Sequence, residues 1–122
     1  GSVFYVEDSK VVALATRRML EKYGFTVTHV VSVEDALPMF DAARDADILL
    51  CEAAWGPYPD GHPAGMHLSG AEAGRIAREA GVGTLVLVHI QPWSDVEETR
   101  AAALAEFGGE VIVGTAGAVF EV

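Results

Sequence analysis

The sequence is poor in cysteine, in basic residues and in long apolar runs, and each shortage excludes something. Cys51 is the one cysteine in 122 residues, so no intrachain disulfide framework exists and a reducing, cytoplasmic setting is expected. Lys and Arg number 8 against 18 Asp and Glu, a net charge of −10. A phosphate-backbone binder needs clustered cations, and an anionic membrane surface attracts them, so neither nucleic acid nor membrane is an expected partner. No apolar run approaches the roughly 20 residues of a membrane span, and no signal-peptide pattern is present. Also missing are a serine in a nucleophile-elbow context and a phosphate-cradling glycine loop. Gly81-Val82-Gly83 precedes a strand, the wrong side for a dinucleotide fingerprint.

What remains is a 51% hydrophobic chain with mean hydropathy +0.28, enough to bury the core of one domain. Gly1-Ser2 reads as the scar of a cleaved tag and is set aside. Val3-Phe4-Tyr5-Val6 is a short apolar run and reads as a strand. Ser9 then caps a helix from about Lys10 to Tyr23, stopped by Gly24, with Val12, Ala15, Met19 and Tyr23 as the expected core face. Phe25 to Val31 is a second strand. Ser32 opens a second helix with Val33, Ala36, Leu37 and Phe40 on one face and Pro38 near its first turn. Asp47 to Cys51 is a third strand. Residues 53–68 hold three of the five prolines and no helical period, which marks a long loop of the kind that often carries function. Ser69 caps a helix to about Ala80. Thr84–Val88 is a strand, and Ser94-Asp95 cap a helix to Phe107. Val111–Val113 and Ala118–Phe120 are expected to form a terminal hairpin around Ala116-Gly117.

Strands this apolar are covered on both faces. The expected fold is therefore α/β: a three-layer αβα, flavodoxin-like, mainly parallel sheet with a C-terminal hairpin, in a single domain. Such sheets place their sites at the carboxyl ends of the strands. Glu7 and Asp8 end the first strand, Glu52 the third and His89 the fourth. Carboxylates with an imidazole suit a divalent ion, magnesium for hard oxygens or zinc for a mixed set, although carboxylates there also fit plain helix caps. No cofactor is strictly required. His62 and His67 lie in the long loop, where exposure is the simpler expectation. His29 is expected to be structural, and Cys51 to be a buried small hydrophobe. Trp55 and Trp93 are expected to pack on the surface.

Residues 3–40 resemble a response-regulator receiver domain through Val-Phe-Tyr-Val-Glu-Asp-Ser-Lys at 3–10, Ala-Thr-Arg-Arg-Met-Leu-Glu-Lys-Tyr-Gly-Phe at 15–25 and Val-Glu-Asp-Ala-Leu at 33–37. The resemblance implies a magnesium-binding acidic pair at Glu7-Asp8. Glu52 stands where the family has its phosphoacceptor aspartate, and the family's strand-five lysine is replaced in Val113-Gly114-Thr115. The phosphorylation chemistry is thus largely missing. Residues 43–122 resemble the C-terminal portion of a metallo-β-lactamase-fold hydrolase of the ribonuclease-Z-like branch. The matching text is Ala-Asp-Ile-Leu-Leu-Cys-Glu-Ala at 46–53, His-Leu-Ser-Gly-Ala-Glu-Ala-Gly at 67–74 and Ala-Gly-Val-Gly-Thr-Leu-Val-Leu-Val-His at 80–89. That resemblance implies a zinc ligand at His89 and a catalytic helper at His67. The family's His-x-His-x-Asp-His motif is absent.

Two incomplete motif sets meeting near 38–47 suggest an engineered hybrid without efficient catalysis of its own. The other readings are a minimal metal-dependent hydrolase using Asp8, Glu52 and His89 with His67 as proton donor, or a receiver-like interaction domain. Apolar surface left uncovered by a partial sandwich also suggests self-association.

Overall fold

In the computed structural model, which describes residues 1–7, 9–30, 44–63 and 66–119, five short strands run in the same direction. They are β1 (Ser2–Val6), β2 (Thr26–Val30), β3 (Ile48–Glu52), β4 (Thr84–Val88) and β5 (Glu110–Val113). Their order across the sheet is β2-β1-β3-β4-β5, and every pairing is parallel. Among the described residues, three helices cover them: α1 (Lys10–Lys22), α2 (Gly70–Ala80) and α3 (Val96–Phe107). This is a flavodoxin-like three-layer α/β fold. None of these helices is long and apolar enough to cross a membrane.

Alternation along each strand sorts the core into two layers. Phe4, Leu49, Cys51, Leu85, Leu87 and Val111 face α2 and α3, meeting Ala73, Ile76, Ala77 and Ala103. Val3, Tyr5, Ile48 and Val86 face the other way, toward Ala13 of α1. The caps form where the sequence places them. The Ser9 hydroxyl accepts from Val12 N–H, Ser69 and Glu72 form a reciprocal capping box, and Asp95 accepts from Glu98 N–H. Gly24, Gly81 and Gly108 follow the helices at positive φ.

Two expectations change. The buried residue of α1 is Ala13, while Val12, Met19 and Tyr23 are 48%, 54% and 74% exposed and Ala15 is exposed. Apolar residues surround this helix, Val11 and Leu14 included, so periodicity alone does not select the face that packs. At the C-terminus, β5 and a turn with Ala118 N–H on Thr115 C=O are present, but residues 118–119 form no second strand and Val119 is 94% exposed. Phe120, the expected end of that hairpin, lies outside the described residues, as does the helix expected over 32–40.

Cys51 is fully buried, as expected of a small hydrophobe. Burial pushes its thiol well above the ordinary range, and the charges of Glu52 and Glu72 add to the effect. The native state therefore keeps a proton that the unfolded chain releases, and stability falls as pH rises past the ordinary thiol value of 9.0. The slope approaches about 1.4 kcal/mol per pH unit. Urea melts across that range should show this extra fall in the parent chain and lose it in Cys51→Ala. A disulfide-exchange reagent should label the thiol only after unfolding.

Candidate metal centre

The carboxyl end of the sheet gathers its polar groups around Glu52. This residue closes β3 and is 7% exposed, so its charge must be met from within. Oε2 accepts from Ala54 N–H at 3.0 Å. Oε1 accepts from Leu68 N–H at 3.3 Å and from His67 Nδ1 at 2.9 Å. An ionised carboxylate only accepts, so His67 carries its proton on Nδ1 and, when neutral, leaves the Nε2 lone pair free. Three of roughly four acceptor positions on the carboxylate are thus used.

The loop that brings His67 back to Glu52 is pinned by its backbone. Trp55 N–H donates to Leu68 C=O at 3.0 Å, Gly70 N–H to Gly56 C=O at 2.8 Å, and Ala71 N–H to Pro57 C=O at 3.0 Å. Gly56 makes the turn at φ +75. Trp55 is half-buried; His62 stacks on it at 4.3 Å and 9°, and His67 meets it edge-on at 5.0 Å. The indole Nε1 is buried without a hydrogen-bond partner among the described residues.

His89 follows β4 at φ +56, a left-handed conformation that few non-glycine residues adopt. Its ring stands 5.8 Å from that of His67, nearly perpendicular, and its Nε2 accepts from the Gln91 amide at 3.1 Å. One ligand atom each from Glu52, His67 and His89 lies within 4.8 Å of the others. This is the one group among the described residues with the donors and spacing to hold a metal ion.

The residues singled out from sequence are therefore divided. Glu52, His67 and His89 come together. Asp8 lies outside the described residues. Glu7 is buried but belongs to another cluster: Oε1 accepts from Ser9 N–H at 3.0 Å and Oε2 from the Tyr5 hydroxyl at 3.4 Å. Burial raises the Tyr5 pKa, the Thr16 hydrogen bond lowers it, and Glu7 raises it further. His29 Nε2 lies 2.9 Å from Glu7 C=O and the ring tilts against Tyr5, a structural role. His62 is exposed and outside the metal group, and Trp93 is 82% exposed. The Glu52–His67 contact is what sequence reasoning missed. Its one trace is a strand-end acid followed by a loop histidine just before the Ser69 cap. Glu52, which stands where the receiver family has its phosphoacceptor aspartate, turns its carboxylate inward onto the loop.

No protein-family model matches the chain. An uncharacterized protein of Mycobacterium leprae is 45% identical over 105 residues, covering 86% of this chain and 37% of its own length. A ribonuclease Z of Kineococcus radiotolerans is 37% identical over 99 residues, covering 77% and 32%. Among solved structures, the metallo-β-lactamase-fold protein YhfI of Bacillus subtilis superposes with TM-score 0.61 at 37% identity, covering 69% of this chain and 35% of that one. A CheY-like receiver domain protein of Methanospirillum hungatei superposes with TM-score 0.56 at 14% identity, covering 92% and 79%, a likeness of fold alone. The chain spans about a third of the length of the curated relatives it matches. Both resemblances read from sequence thus have counterparts. A 105-residue match within 122 residues necessarily includes residues 18–105, so it runs through 38–47. An engineered junction there finds no support.

Proposed function

We propose that this chain carries part of the site of a metal-dependent hydrolase, with Glu52, His67 and His89 as its working residues. The observation that carries this reading is their convergence at the carboxyl ends of β3 and β4. It is supported by likeness to a protein described as a probable metallo-hydrolase, YhfI of Bacillus subtilis. Two imidazole nitrogens and one carboxylate oxygen form a donor set that suits zinc better than magnesium. His89 and His67 Nε2 would hold the ion, with the remaining acceptor position of Glu52 beside them. A bound zinc ion supplies Lewis acidity and a more acidic water. The chain's own contribution is orientation: Glu52 holds the His67 proton on Nδ1, which leaves the Nε2 lone pair for the ion. Three donors serve one ion, so hydrolysis by this chain alone is slow.

Loading with zinc should leave one ion per chain. His89→Asn tolerates the left-handed backbone, so the fold is kept while affinity drops at least about tenfold. Slow cleavage of an activated phosphodiester should fall with it. A chain that retains no zinc after loading, or cleavage equal in parent and variant, overturns the reading.

A further inference from the structure

Positive charge is scarce in this chain and gathers on one helix. α1 holds four of the eight basic residues, Lys10, Arg17, Arg18 and Lys22, against one acid, Glu21, in a chain of net charge −10. Lys10, Ala13, Leu14 and Arg17 follow the i, i+3, i+4, i+7 spacing that sets side chains along one stripe of a helix. That stripe meets His29 of the edge strand β2, and together they line a pocket of about 340 Å³. Arg18 and Lys22 lie off the stripe and outside the pocket.

The lining identifies the ligand. Among the described residues no carboxylate faces the pocket, although the chain is strongly acidic. Lys10 is exposed and enters none of the ion pairs formed among the described residues. Arg17 Nε donates to Glu21 at 2.8 Å, which engages one of the five guanidinium donors and leaves the four terminal N–H groups. Both partners of that pair are about half exposed, so it binds Arg17 only weakly. Opposite the helix, His29 Nε2 donates to Glu7 C=O at 2.9 Å, and the ring rests against Tyr5, which fixes that wall. Ala13 and Leu14 supply an apolar floor. Two cations on one small pocket match a dianion, and the arginine fork matches the paired oxygens of a phosphate. The volume suits a small ligand rather than a macromolecule.

We propose that this pocket binds a phosphate dianion between Lys10 and Arg17, either free or as the end group of a small monoester. The site is separate from the metal centre. β2 and β3 stand on opposite sides of β1, so two strand spacings, about 10 Å, part the strand of His29 from the strand of Glu52. Neither Lys10 nor Arg17 touches Glu52, His67 or His89, and phosphate binding here needs no metal ion.

An NMR titration of the metal-free chain with inorganic phosphate, at constant ionic strength, should give saturable shifts centred on residues 10–17 and His29. Lys10→Gln and Arg17→Gln should each weaken binding about tenfold. Arg17→Lys keeps the charge but loses the fork, and should weaken it several-fold. Arg18→Gln and Lys22→Gln remove the same charge from the same helix outside the pocket, and should leave affinity within about twofold. All four side chains are exposed, so the variants should melt like the parent. Acetate should bind about tenfold more weakly than phosphate, because it carries one charge. Glycerol phosphate bound at the same residues supports a monoester as the ligand, and its exclusion beside bound inorganic phosphate supports the free ion. Shifts that never saturate, or equal losses in Arg17→Gln and Arg18→Gln, reveal a general response to ions and overturn the proposal. Equal affinity for acetate overturns the assignment to phosphate. Zinc is absent throughout, so failure of this site and failure of the metal centre are distinguishable.

Discussion

Replacing Glu52 with alanine should abolish the proposed zinc binding and destabilise the chain by about 3 kcal/mol or more. Three donors lose their acceptor at once: Ala54 N–H, Leu68 N–H and His67 Nδ1. Ala54 and Leu68 are 3% and 2% exposed, so water does not readily replace the carboxylate. A buried donor left without a partner costs about 1–3 kcal/mol. The imidazole of His67 is then free to turn over, and Nε2 no longer faces His89. Glu52→Gln is the discriminating control. Its amide oxygen can still accept, but its NH2 group must face a donor on the other side, so it should lose about half as much stability. Urea melts and zinc titrations on both variants check this. Binding and stability that survive in Glu52→Ala would mean that the carboxylate neither anchors the loop nor orients the histidine.

This dependence explains what sequence could and could not reveal. The third strand is readable because Ile48-Leu49-Leu50-Cys51 is a continuous apolar run, which only a strand covered on both faces needs. The acid at its end is readable as a strand-end acid. Its partner is not, because His67 lies 15 residues away across a loop with no periodicity. Glu7 and Glu52 look alike in sequence, and only the hydrogen bonds separate them: a serine backbone and a tyrosine for one, a histidine for the other. The core face of α1 differs from the expected one for a related reason. Its apolar residues outnumber the positions the sheet can bury, so tertiary contact decides among them.

The two family likenesses also separate along these lines. The order β2-β1-β3-β4-β5 is a property of the whole sheet, and it is what the receiver shares with this chain at 14% identity. The likeness to YhfI is closer in sequence and shorter in extent, 37% over 69% of the chain. A sheet of this order accommodates different chemistry at its carboxyl ends, because strand-end residues can change without disturbing the core. Here those ends hold a buried Glu–His pair and a second histidine.

Gly74→Val should cost about 3 kcal/mol or more and lower the melting temperature by roughly 10 °C. Gly70 and Gly74 lie one turn apart on α2, on the side that meets α3. A Cβ at Gly74 would run into the carbonyl oxygen of Ala103, and one at Gly70 into that of Thr99. Both obstacles are backbone atoms, so a neighbouring side chain cannot simply move aside; the helices themselves must separate. Alanine at Gly74 meets the same obstacle but recovers about 0.8–1 kcal/mol of helix propensity, so its loss should be smaller. Valine adds two more methyl groups and forfeits part of that recovery. The consequence extends to the site. Gly70 N–H and Ala71 N–H hold the loop through Gly56 and Pro57, and His67 enters α2 three residues before Gly70. Displacing α2 therefore displaces the imidazole from Glu52, and zinc affinity should fall with stability in Gly74→Val although the substitution lies two turns from the histidine. Chemical denaturation and zinc titration of the same preparation test the coupling. A large loss of stability with unchanged zinc affinity would show that the loop keeps its geometry independently of the α2–α3 contact.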